Sequence, residues 1–170
     1  LNWQSGFESV ADNPYIADFY QDMRSWSFHL QIFFLGHRAI QHQALAEGPQ
    51  NAIIDRSIYE DMHIFARALH ELNNVNERDY DSYRQLYNVV VDSLSPPALL
   101  IYLHAPVEVL IERITKRGRS IESGITPEYL HLLDRYYDEW LTDFSLCPVL
   151  KIHSDNLDFV HRNEDLDMVV

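Results

Sequence analysis

Three short apolar runs, at residues 52–55, 99–103 and 149–153, are separated by long stretches of helical periodicity, and this alternation restricts the chain to a parallel α/β architecture. Each run is continuously apolar, as strands covered on both faces tend to be. A weaker strand signal lies at residues 7–10. Helical patterns occupy residues 23–46, 59–72, 79–94, 106–117 and 127–144. Parallel strands need right-handed crossovers, and ligands then gather beyond the carboxyl ends of the strands. Functional residues are expected there.

With 46% apolar residues in 170, the chain can bury one substantial core as a single domain. The longest apolar runs, such as residues 98–103, are far too short to cross a bilayer. Cys147 stands alone and cannot form an intramolecular disulfide, which predicts a reducing, cytoplasmic setting with no membrane partner. A net charge of −13 argues against a nucleic-acid surface, which needs a basic stripe to replace the counterions around phosphates. Any phosphate site must therefore be local.

The first chemical signal is Asp55-Arg56-Ser57, where an apolar strand ends in an acid followed at once by a base. A carboxylate at a strand end is where P-loop phosphotransferases hold magnesium, although an Asp there also caps the next helix equally well. The second is Arg113-Ile-Thr-Lys116-Arg117-Gly118-Arg119, a basic cluster in an acidic protein. Arg113 and Arg117 share one helical face, and Gly118 suits the left-handed position that ends a helix and releases Arg119 inward. Helix termination alone does not call for so many arginines, and such an array can clamp a polyphosphate.

The helix around Trp26 to Arg38 is apolar on most of its circumference, so it is expected to be buried, yet it carries Gln31 and Arg38. Seven residues is almost two turns, so both side chains point the same way, about 10 Å apart along the axis. Gln offers a donor beside an acceptor, and Arg a fixed fork of donors. Taken alone, each would more often satisfy a structural partner. The next helix supplies Asp61 and Phe65 at i,i+4 spacing, a carboxylate to orient Arg38 and an aromatic plane for stacking. Gln31, Arg38, Asp61 and Phe65 thus make a slot for a purine or pyrimidine. The nine histidines include no metal-ligand spacing: His63 and His70 share a face but sit about 10 Å apart along it. Tyr129, Tyr136, Tyr137 and Trp140 read as packing residues of a helix.

In this order the residues resemble the deoxynucleoside kinases, in particular the bacterial deoxyadenosine and deoxyguanosine kinases. The resemblance runs from Phe7 to about His153. It is carried by Phe7-Glu8-Ser9-Val10, Asp12-Asn13-Pro14-Tyr15, Phe19-Tyr20-Gln21-Asp22, Trp26 through Gln31 to Arg38, Asp55-Arg56-Ser57-Ile58-Tyr59-Glu60-Asp61, and Arg113 through Arg119. It implies a P-loop kinase-like three-layer α/β fold with an arginine lid. The implied reaction is transfer of the ATP γ-phosphate, with magnesium, to the 5′-hydroxyl of a deoxyribonucleoside, purines being favoured.

Residue by residue, the resemblance makes Glu8 the general base and has Arg56 hold the hydroxyl and the developing charge. Asp55 holds magnesium directly or through water, and Tyr20 and Glu122 grip the sugar 3′-hydroxyl. Gln31 reads the base edge beside Arg38 and Asp61, with Phe65 stacked on the ring. Arg113, Arg117 and Arg119 cover the ATP phosphates. A homodimer is implied, with the helix at residues 23–46 as its interface.

Two departures stand out. Ser9 replaces a proline common in relatives, and no Gly-x-x-x-x-Gly-Lys-Ser/Thr occurs in the 170 residues. The expectation is a single kinase domain, lacking its first strand and P-loop before Leu1 and some residues after Val170. A nucleoside monophosphate kinase of the thymidylate type would need a cation where Glu8 stands, since a carboxylate repels an acceptor phosphate. A non-catalytic kinase-like interaction subunit would not need Glu8, Arg56 and the lid arginines together.

Overall fold

The alternation of runs folds into parallel strand pairs. In the computed structural model, which describes residues 3–7, 13–119, 124–159 and 161–167, β1 (Gln4–Gly6) pairs in parallel with β2 (Ala52–Ile54). β3 (Leu100–His104) pairs in parallel with β4 (Val149–His153), Leu100 opposite Val149 and His104 opposite His153. The helices are α1 (Ile16–Gln21), α2 (Met23–Ala46), α3 (a π-helical segment Asp61–Ala66 continued by Arg67–Glu71), α4 (Glu77–Asp92), α5 (Val107–Arg117), α6 (Pro127–Asp143) and α7 (Asn163–Asp167).

The first strand lies earlier than the weak signal at residues 7–10. Of those four residues only Phe7 is described, and it stands outside the ladder at 72% exposure. The pairing closes where the Asp55 N–H donates to the Gly6 carbonyl oxygen. Gly6 belongs in the strand because α2 passes so close that a Cβ there would come within 2.8 Å of Leu45 Cδ1. Exposure alternates along β3 within the described residues. Leu100, Tyr102 and His104 are half-buried, while Ile101 and Leu103 between them remain 42% and 50% exposed, as does Ile53 of β2 at 49%. Within the described residues, helices cover one side of β3, and strict alternation is what one covered face produces.

Helix starts obey local chemistry. The Asp22 carboxylate accepts from the Ser25 N–H at α2, Asn76 Oδ1 from the Asp79 N–H at α4, and Thr126 Oγ1 from the Tyr129 N–H at α6, where Pro127 takes the first turn. α5 ends as anticipated, on Gly118 in the left-handed conformation at φ 63°.

The apolar circumference of α2 is explained by its neighbours: it packs against α1, α3, α4, β1 and β2. Leu30, Leu35 and Leu45 are buried from it, each contributing about 1.5–3 kcal/mol by removal from water. The main core joins Leu35 to Ile58, Met62 and Ile64 of the α3 region, Tyr83 and Tyr87 of α4, and Tyr136 and Trp140 of α6. A second cluster of Phe19, Leu30, Leu69 and Val75 ties α1 to α2 and α3. Among the described residues no helix is long and apolar enough to cross a membrane.

Candidate active site

β2 ends at Ile54, and the next three residues turn sharply towards α3. Arg56 has a positive φ of 67°, a conformation that costs a residue with a Cβ about 1–3 kcal/mol. That strain persists because the turn is tied down from below. Ser57-Ile-Tyr-Glu60 has the spacing of a capping box and makes the half in which the glutamate reaches back: Glu60 Oε1 accepts from the Ser57 N–H at 2.8 Å and from the Ser57 hydroxyl at 3.0 Å. The other oxygen, Oε2, accepts from the Tyr137 hydroxyl of α6 at 2.5 Å.

The Arg56 guanidinium lies 4.6 Å above the centre of the Phe65 ring, a cation–π contact that aims it over α3. It also acts electrostatically on Tyr129 and Tyr137. Burial pushes the Tyr129 phenol up to about 12, with Tyr20 adding to the rise and Arg56 opposing it. Tyr20 on α1, edge-on to Phe19, Tyr129 on α6 and Arg56 after β2 therefore share one neighbourhood, though they come from three separate parts of the chain.

Deeper in, Gln31 and Arg38 lie on one face of α2 at 5% and 7% exposure. Arg38 forms an ion pair with Asp61, which is 1% exposed, and rests 4.5 Å from the centre of the Phe34 ring one turn back. The π-helical turn carries Asp61 and Phe65 together, a local widening often found at functional sites. Asp61 turns only one oxygen to Arg38. Its Oδ2 and the Gln31 Oε1 are buried with no hydrogen-bond partner among the described residues. Two buried acceptors without partners cost free energy, and the N–H groups of a ligand could satisfy them.

Asp55 presents an exposed carboxylate at the carboxyl end of β2, with no hydrogen bond or ion pair to the described residues. A single hard oxygen donor of this kind suits magnesium, which keeps several waters and takes its other ligands from phosphates. The basic cluster is divided in its work. Arg113 Nη2 donates to the carbonyl oxygens of Ser154, Asp155 and Leu157 at 2.6, 3.2 and 3.3 Å, so α5 is laced to the loop after β4. Arg117 and Arg119 flank Gly118 on the exposed end of α5. Glu8 and Glu122 lie outside the described residues.

The structure thus joins Arg38 to Asp61 and Arg56 to Phe65, and groups Tyr20 with Arg56. Sequence reasoning missed Glu60 and Tyr137, which are hydrogen-bonded to the Ser57 turn and to each other, and Tyr83, whose buried hydroxyl has no partner among the described residues and which feels the Arg38 charge. The Ser-x-x-Glu spacing could have revealed Glu60. Nothing local marks Tyr137, which is 77 positions away from it.

The chain matches the deoxynucleoside kinase family over residues 1–170. It is 34% identical over 174 residues to the deoxyadenosine/deoxycytidine kinase of Bacillus subtilis (strain 168), spanning 100% of this chain and 79% of that protein. To the deoxyguanosine kinase of the same organism it is 30% identical over 168 residues, spanning 95% and 79% of the two chains. A solved structure of deoxyadenosine kinase from M. mycoides, with the product dCMP and a flexible dCDP bound, superposes with a TM-score of 0.85 at 32% identity, covering 99% of this chain and 84% of that one. Parallel strands flanked by helices agree with these matches, and the chain belongs to the deoxynucleoside kinase family, enzymes of the P-loop kinase fold that phosphorylate deoxynucleosides.

Proposed function

We propose that this kinase transfers the γ-phosphate of ATP, with magnesium, to the 5′-hydroxyl of purine deoxyribonucleosides, deoxyadenosine and deoxyguanosine, in cytoplasmic nucleotide salvage. The observation that carries the base preference is the pair of buried, unpartnered acceptors, Gln31 Oε1 and Asp61 Oδ2. An exocyclic amine beside a ring nitrogen satisfies both such acceptors and the adjacent Arg38 and Gln31 donors. Adenine and guanine each carry an amine. Thymine has a single N–H between two carbonyls and would leave a buried acceptor unpaired. The cytosine amine meets the same requirement, so deoxycytidine is the second reading, supported by the relative from Bacillus subtilis named as a deoxyadenosine/deoxycytidine kinase.

Phosphoryl transfer needs little covalent help, so the residues contribute position and charge. Gln31, Arg38 and Asp61 orient the base, and Phe65 offers it the ring face that Arg56 does not cover. Tyr20 and Glu122 hold the sugar 3′-hydroxyl. Glu8 accepts the proton of the 5′-hydroxyl, and Arg56 holds that oxygen and the charge that develops beside it. Arg117 and Arg119, with Arg113 at their base, cover the phosphates of the nucleotide. Asp55 would hold magnesium, which when bound neutralises charge on the transferring phosphate. The protein acts as a homodimer through the strip of α2 formed by His29, Phe33, Gly36 and Ile40, whose Ile40 is 72% exposed. Light scattering at micromolar concentration that shows only monomer overturns the dimer.

The deciding assay is ATP-dependent phosphorylation of the four deoxynucleosides, and of thymidine monophosphate, by the full chain with magnesium. Product from deoxyadenosine and deoxyguanosine supports the reading. Preferential turnover of thymidine or its monophosphate sinks it.

A further inference from the structure

We propose that Glu60 and Tyr137 are positioning residues for Arg56, acting together to hold the strained turn from which that arginine reaches the reacting oxygen. The inference rests on the role assigned above to Arg56. A residue with a Cβ does not keep a left-handed backbone on its own account, and Arg56 at φ 67° is followed directly by the residue whose N–H and hydroxyl are both held by one oxygen of Glu60. Releasing Ser57 would let the turn relax into an ordinary conformation and carry the guanidinium away from the Phe65 ring, over which it now lies at 4.6 Å.

Glu60 is itself held. Its second oxygen takes the Tyr137 hydroxyl at 2.5 Å, so the carboxylate bridges the turn after β2 and the middle of α6. Tyr137 stacks on Tyr102 of β3, with ring centres 5.3 Å apart and planes 20° from parallel. The support therefore ends in a strand of the other parallel pair. Arg56 is aligned by this chain of contacts, Tyr102 to Tyr137 to Glu60 to Ser57, and not by its own sequence neighbours alone. Neither Glu60 nor Tyr137 is assigned a contact with the substrate or the phosphates; each works through the turn.

The test is steady-state kinetics of the full chain with a double-mutant cycle. Glu60→Ala is expected to lower kcat about tenfold or more while the nucleoside KM stays within about twofold, because misplacement of a catalytic group by under an ångström acts on the transition state. Tyr137→Phe, which keeps the ring stack, is expected to lower kcat about threefold, and the double variant should be no slower than Glu60→Ala alone, since both act in one linkage. Glu60→Gln, which preserves shape but removes an acceptor, should fall between the wild type and Glu60→Ala. Unchanged kcat in Glu60→Ala and Tyr137→Phe overturns the proposal, as do independent, multiplying effects in the double variant. If Glu60→Ala does not fold, Tyr137→Phe decides alone by the same kcat-against-KM split. Arg56→Ala is run alongside: loss of turnover there with wild-type Glu60→Ala kinetics refutes only this inference, whereas retained turnover in Arg56→Ala refutes the role of Arg56 itself.

Discussion

Arg38 and Asp61 form an ion pair with almost no access to solvent, 7% and 1% exposed, and only one oxygen of the aspartate takes part in it. The pair is a structural element joining α2 to α3 and, in the function proposed above, the rim of the base site. Removing one partner leaves a charge buried with nothing to oppose it.

Asp61→Ala should therefore destabilise the protein by about 3–5 kcal/mol, whereas the double change Arg38→Met with Asp61→Ala should restore most of that loss. Thermal melting of the two variants beside the wild type checks this. The double variant should also lose its preference for bases that carry an amine, read as the ratio of kcat/KM for deoxyadenosine over thymidine.

Gln31→Leu removes a buried acceptor that has no partner among the described residues, so the protein measured without nucleoside should gain about 1 kcal/mol of stability. Its kcat/KM for deoxyadenosine should fall by roughly tenfold to a hundredfold, because the base edge loses its reader. A variant that is both less stable and fully active would contradict the assignment.

Tyr83→Phe tests whether the buried Tyr83 hydroxyl serves any need of the fold. Tyr83 is 1% exposed and its hydroxyl has no partner among the described residues, so melting should be unchanged or higher by about 1 kcal/mol. A clear loss of stability would mean that the hydroxyl does bind something inside the protein.

The basic residues of α5 should separate into two classes. Arg113→Met breaks three contacts with the loop after β4 and should cost about 1–2 kcal/mol of stability, while Arg117→Ala and Arg119→Ala, at the exposed end of the helix, should raise the KM for ATP with little change in melting. Equal melting of all three variants would remove the structural role of Arg113.

Glu8→Gln should lose most turnover yet still bind nucleoside, because binding does not require transfer of the proton. Wild-type turnover in that variant would exclude Glu8 as the base; equilibrium binding of deoxyadenosine supplies the control.

Much of this was legible locally. Period and punctuation located α2 to its end residues, Gly118 marked the close of α5, and i,i+7 and i,i+4 spacings put Gln31 with Arg38 and Asp61 with Phe65 on shared faces, since helical geometry converts spacing directly into direction. The order of those residues was enough to indicate a deoxynucleoside kinase. What the spacing could not contain was contact across elements. The cover of one face only of β3, the start of β1 at Gln4, the seat of the Arg56 guanidinium on Phe65, and the diversion of Arg113 to three carbonyls all depend on which surfaces meet. The support of Arg56 by Tyr137 is the clearest case: Ser57 and Glu60 are three residues apart and speak through local hydrogen bonding, but Tyr137 reaches Glu60 only because α6 packs on α3, and packing is decided by the whole set of apolar faces at once, not by any one stretch of chain.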